Sequence, residues 1–242
     1  MRSPFFGEFM GTLMLILLGN GVTAGVVLNR SKAANSGWMV IATGWAFAVL
    51  CGIFTAILCG SPDAHLNPAI TLAAALQSGN FNKLPSYATA QTLGAFAGAI
   101  LVWLHYFPHW GETDDADVKR AAFSTSPAIR NPIANFVSEV IATAVLVLVA
   151  GAISSRLVFS SGAAAGVSPY LVSCVIWSIG LSLGGTTGYA CNPARDFGPR
   201  VAHTVLPVAG KGSSDWSYAL IPILGPLTGG AIAGLLLRAL GA

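Results

Sequence analysis

The chain has 242 residues, of which 54% are hydrophobic and 9% charged, with a formal net charge of +3 and a mean hydropathy of +0.70. A water-soluble core cannot hide that much apolar surface, so the composition excludes an ordinary soluble enzyme and places the chain in a bilayer. The sequence contains no nucleophile and base pair, phosphate loop or metal cluster; catalytic residues, metal, cofactor and nucleic-acid partner are all expected to be none.

Apolar runs of crossing length follow one another at 5–28, 38–59, 87–106, 133–153, 167–183 and 218–240, each close to the ~20 residues that span a ~30 Å hydrocarbon layer. Six crossings are therefore expected. The first begins almost at the N-terminus and lacks a small-residue cleavage site ahead of a polar stretch, so it reads as a retained helix and not a removed signal. Glu8 in the first run and Glu139 in the fourth are the only acidic residues deep in the spans. A bare carboxylate in hydrocarbon is costly. Each is expected to accept hydrogen bonds from the backbone of a re-entrant loop, the rival reading being a proton relay. Gly94 with Gly98, and Gly180 with Gly184, are small-xxx-small pairs expected at tight interhelical contacts. Cys51, Cys59 and Cys174 read as core thiols without metal spacing, and Cys191 as a thiol that could face a cavity.

The longest polar stretch, 108–131, divides the spans three and three. The halves echo each other: Glu8-Phe-Met-Gly-Thr opens one and Glu139-Val-Ile-Ala-Thr opens the other, each followed by two more spans. Because three is odd, the repeats, about 1–107 and 132–242, must be inverted copies within one membrane domain. Asn67-Pro68-Ala69 and Asn192-Pro193-Ala194 recur at matching places in the two halves. Asn is a favoured helix N-cap and Pro a favoured first residue, so each tripeptide opens a helix. The stretches 68–78 and 193–206 are too short to cross at ~1.5 Å per residue. Two half-helices entering from opposite faces meet near the midplane with their N-termini facing. Irregular backbone at that depth must be buried in protein or line a wet cavity, and the Asn67 and Asn192 amides would donate there where two helix dipoles repel cations. Arg195 follows the second tripeptide directly; an intramembrane Arg in the first turn of a helix marks a functional site.

Gly-Tyr-Ala-Cys-Asn-Pro-Ala-Arg-Asp-Phe-Gly-Pro at 188–199 and Ala-His-Leu-Asn-Pro-Ala at 64–69 resemble the two signatures of the aquaporin and glycerol-facilitator family. The resemblance covers the whole chain. It implies an all-α membrane protein of six transmembrane helices plus two re-entrant half-helices, a passive channel assembled as a homotetramer in the cell membrane, with cytoplasmic termini. Charge alone points the other way, since Arg2, Lys83, Arg156 and Arg238 would share the face of the termini while six cations share the opposite face; the orientation implied by the family is adopted here. The resemblance also assigns an outer constriction to Trp45, Gly180, Tyr189 and Arg195. Trp45 lies farther from Asn67 than the family's spacing, which implies a short insertion around 60–63, and Asp63 there puts a carboxylate near the cytoplasmic vestibule. His65 is expected to orient the first loop. Asp196 resembles the glycerol branch, and its i, i+4 spacing to Arg200 suggests a local ion pair.

A Trp, a second aromatic and a Gly beside an Arg make a wide opening with one greasy and one hydrogen-bonding wall. Glycerol, passing with some water, fits that description. A channel mainly for water, urea, ammonia or an undissociated acid is the alternative within the class, and a proton-coupled inverted-repeat transporter the alternative outside it.

Overall fold

A computed structural model describes residues 2–162, 164 and 166–241, and these residues form ten helices and no strand. In the first half, α1 (Pro4–Val27) and α2 (Trp38–Cys59) precede the short α3 (Pro68–Ser78) and α4 (Leu84–His105). The connecting stretch holds α5 (His109–Glu112) and α6 (Ala116–Ala121). In the second half, α7 (Pro132–Ser154) and α8 (Val167–Ser182) precede the short α9 (Pro193–Val205) and α10 (Leu220–Leu240). Five helices are long and apolar enough to cross a membrane, and α8, at 16 residues, is shorter. At 1.5 Å per residue α8 covers only about 24 Å, and a turn at 183–187 continues the chain beyond it.

The same punctuation starts four of these helices. Ser3, Asn67, Asn131 and Asn192 each stand at the N-cap with Pro next, and each side chain accepts from a first-turn backbone N–H. A side-chain acceptor satisfies an orphan donor, and proline supplies a helical φ where no N–H is needed. Gly60 and Gly79 end α2 and α3 at φ 110° and 75°, a left-handed closure that needs no Cβ.

The connecting stretch is more ordered than its polarity suggests. Asp115 caps α6 through the Asp117 and Val118 N–H groups, and Trp110 and Phe123, stacked at 5.4 Å, are buried. Asn20 of α1 reaches the Phe123 carbonyl at 3.0 Å, fastening the stretch to the first half.

Contacts between helices repeat across the halves. Helix α1 lies against α2 and α4 as α7 lies against α8 and α10; α3 leans on α10 and α9 on α4; α2 meets α8. Each half-helix is thus held by the opposite half. Backbones approach closely where glycine allows it. A Cβ at Gly94 would come 2.2 Å from the Phe9 carbonyl of α1, and one at Gly229 would come 2.3 Å from the Val140 carbonyl of α7. A Cβ at Gly98 would come 2.6 Å from the Leu13 carbonyl of α1, and one at Gly184 would come 2.6 Å from the Trp38 ring of α2.

Polarity runs inside out. Phe47, Phe54, Leu58, Leu104, Ile141 and Ile232 are exposed, while Glu8, Gln91, Glu139, Asp196, Arg200 and His203 are buried completely. Lipid replaces water as the solvent for the outer surface, and every buried polar group must find its partner within the protein.

Candidate functional site: facing half-helices and an arginine-lined mouth

The two half-helices begin within hydrogen-bond reach of each other's loops. Asn67 accepts from the Ala69 N–H at 2.8 Å, and its amide donates to the Cys191 carbonyl at 2.7 Å. Asn192 accepts from Ala194 and Arg195, and donates to the Leu66 carbonyl at 2.8 Å. Each amide NH2 has two N–H groups. One bonds the opposite loop's carbonyl, and among the described residues the second has no acceptor.

Both loops are bent the same way. Ala64 and Leu66 have φ of 45° and 53°, Tyr189 and Cys191 of 38° and 49°, a region that non-glycine residues enter at a cost. Two buried carboxylates hold them there. Glu8 accepts the His65 and Leu66 N–H groups at 2.9 and 2.7 Å, with Ser61 Oγ and Gln91 Nε2 each at 2.7 Å. Glu139 accepts the Ala190 and Cys191 N–H groups, both at 3.0 Å. A carboxylate taking several N–H bonds offsets much of its desolvation, so these two acids act as brackets for the loops.

A cavity of about 600 Å³ is lined by Trp45, Asp63, His65, Asn67, Asn192 and Arg195, together with apolar side chains such as Val49 and Ile53. The Trp45 ring lies under the Arg195 guanidinium, 4.1 Å from its centre, and Trp45 Nε1 is fixed by Thr23 Oγ1 at 3.0 Å. The π face offsets part of the cost of a cation at a helix N-terminus. Among the described residues no protein acceptor engages the guanidinium, which leaves its donors for the lumen. Tyr189 also borders the cavity. Gly180 stands behind it: a Cβ there would lie 3.0 Å from Tyr189 Cζ and Oη, so the missing side chain gives the ring its place.

Of the other residues singled out in the sequence, Pro68, Ala69, Pro193, Ala194 and Asp196 are buried and do not line the cavity. Asp196 pairs with Arg200 at 2.7 Å and also accepts the Thr125 N–H and Oγ1 at 2.8 and 2.7 Å. Arg200 then donates to the Ser214, Asp215 and Thr125 carbonyls. This clasp ties the connecting stretch and the segment after α9 to the turn that carries Arg195. His65 is on the wall, within 3.2 Å of Thr71 Oγ1. Sequence reading missed Thr125, Gln91 and Trp38. Trp38 donates to the Gly180 carbonyl at 2.8 Å and meets Tyr189 edge-on; its place two helical turns before Trp45, on the same face of α2, was the available signal.

A family model described as "Major intrinsic protein" matches residues 2–237. The chain belongs to the major intrinsic protein family. As a member of that family it is a multi-pass membrane channel of the aquaporin fold and not an enzyme. Among its relatives, a probable glycerol uptake facilitator protein of Thermotoga maritima is 52% identical over 237 residues, covering 97% of each chain. The glycerol uptake facilitator protein of Bacillus subtilis is 47% identical over 239 residues, 98% of this chain and 84% of its own. The X-ray structure of the aquaglyceroporin from Plasmodium falciparum superposes with a TM-score of 0.83 at 28% identity, covering 97% of this chain and 94% of that one.

Proposed function

We propose that this channel passes glycerol and similar small neutral solutes, with water, down their gradients while excluding protons and ions. The supporting observation is the mouth formed by Arg195, Trp45 and Tyr189. A carbon chain can lie on the Trp45 and Tyr189 rings while its hydroxyls take the unengaged donors of Arg195. Farther in, the free N–H of each Asn amide meets the next hydroxyl. The glycerol uptake facilitators to which the chain is similar over nearly its full length support the same solute.

Protons and metal cations meet the converging N-termini of α3 and α9 and the charge of Arg195, a field that repels them. The proton-coupled alternative needs a carboxylate free to load and unload. Glu8 and Glu139 are instead committed to the loop N–H groups. Asn67, Asn192, Trp45, Tyr189 and Arg195 are assigned to solute recognition, Gly180 to setting the width of that constriction by seating Tyr189, and Glu8, Glu139, His65 and Asp196 to support. A homotetramer with cytoplasmic termini completes the reading, in keeping with the family resemblance and with the exposed apolar faces of the spans.

Proteoliposomes given an inward glycerol gradient test this. They should swell faster than empty vesicles, and equally fast with and without a transmembrane pH gradient. Uphill uptake driven by protons, or water flow without glycerol entry, overturns the proposal.

A further inference from the structure

The two re-entrant loops are bracketed alike by Glu8 and Glu139, but one carries an additional tether. Asp63, four residues before Asn67, accepts Lys83 Nζ and Tyr87 Oη on the same oxygen, both at 2.6 Å. The corresponding position before Asn192 is Gly188, with no side chain and a φ of 78°. The tether leads to the cavity wall. The Tyr87 ring, itself buried, meets the His65 ring edge-on at 5.5 Å, and both Asp63 and His65 border the cavity.

We propose that Asp63 is a positioning residue for this mouth of the channel: through the Tyr87 hydroxyl it fixes the ring against which His65 rests, and so sets the width available to a solute entering beside α3. Lys83 makes the exposed half of the tether, a pair half open to solvent, and contributes less, as surface ion pairs do. The Tyr87 bond is the shielded half and carries the positional information. Glu8 holds the loop at Ser61 and at His65 and Leu66, on either side of Asp63; the Asp63 tether adds a fastening outward to α4 that the second loop does not have at the matching position. This inference rests on the cavity being the solute path.

The test uses the full-length channel in proteoliposomes and the variants Asp63→Ala, Asp63→Asn, Tyr87→Phe, Lys83→Met and the double variant Asp63→Ala/Tyr87→Phe. Diethyl pyrocarbonate labelling of His65, followed by mass spectrometry, reads the ring's accessibility whatever solute the channel carries. Removing Asp63 or the Tyr87 hydroxyl should speed His65 labelling about threefold or more, with the double variant close to either single one, as expected for two members of one chain of contacts. Lys83→Met should have the smaller effect. Glycerol entry should change in the same variants, and water flow less. Unchanged His65 labelling in both Asp63→Ala and Tyr87→Phe overturns the proposal, as does an equal rise at His105, His109 and His203, which would report general loosening. If the parent protein carries no glycerol while His65 labelling still responds, the proposed solute falls and the positioning role stands.

Discussion

At the scale of single residues, the mouth depends on atoms that are present and on one that is missing. Gly180 gives the Tyr189 ring its seat, so a Cβ introduced there must push the ring toward Arg195 and Trp45. Gly180→His is expected to lower glycerol entry by roughly tenfold or more, the order by which pocket contacts discriminate solutes, and to lower water flow less; parallel stopped-flow measurements of the two solutes check this. Glu139→Gln keeps one acceptor and turns an amide NH2 toward a backbone N–H. Loss of a buried bond and an opposed donor should cost about 1–3 kcal/mol, read as a lower midpoint of thermal unfolding in detergent. Among these residues the asparagines and Arg195 were legible in the sequence because each is costly in hydrocarbon and sits beside a helix-start signal. Thr125 and Gln91 were not, since a hydroxyl or an amide far away in the chain gives no sign of which carboxylate it will reach.

At the scale of helices, glycine decides which pairs can touch. Gly94 under Phe9 and Gly229 under Val140 are the same contact in the two halves, backbone against backbone with no room for a methyl group. Gly94→Ala and Gly229→Ala should each destabilise the fold by about 1–3 kcal/mol, the usual cost of forcing extra volume into a filled contact. Gly21, also in a spanning helix but with open space where its Cβ would stand, serves as control, and Gly21→Ala should leave thermal stability unchanged or slightly raised. The spans themselves were plain from composition. The small helices α5 and α6 were not, because a four- or six-residue helix carries too few apolar positions to show a period, and its order comes from the Asp115 cap and from Trp110 and Phe123 burying against distant partners. The pair Gly180 and Gly184 marks a crossing point by spacing, and it does lie against α2, but the neighbours there are the Ala42 and Trp38 side chains; spacing cannot tell a backbone neighbour from a ring.

At the scale of the whole molecule, loops on both faces are closed by carboxylates, Asp63 with Lys83 on one and Asp215 with Arg130 on the other. Burial alone would raise both acids, but hydrogen bonds from Lys83 and Tyr87, and from Arg130 and Ser217, outweigh it and hold them below the ordinary carboxylate range. An acid depressed on folding stabilises the fold fully above its unfolded pKa, about 4, and loses that contribution as the pH falls through its folded value. Thermal stability should therefore hold level from about pH 7 to about pH 5 and decline below about pH 4, and Asp63→Asn combined with Asp215→Asn should flatten the decline. The inverted repeat could be read from one tripeptide written twice, since its physics needs only a cap, a proline and a short apolar run. Of the clasp at Asp196, the i, i+4 pair with Arg200 could be read as well, whereas the reach to Thr125, 71 residues away, could not. One more outcome follows from the amide of Asn67 ending on Cys191 and that of Asn192 on Leu66, partners 124 and 126 residues away. Neither bond can form until the ribosome has delivered the later half, so the facing helix starts are joined only after most of the chain has entered the bilayer.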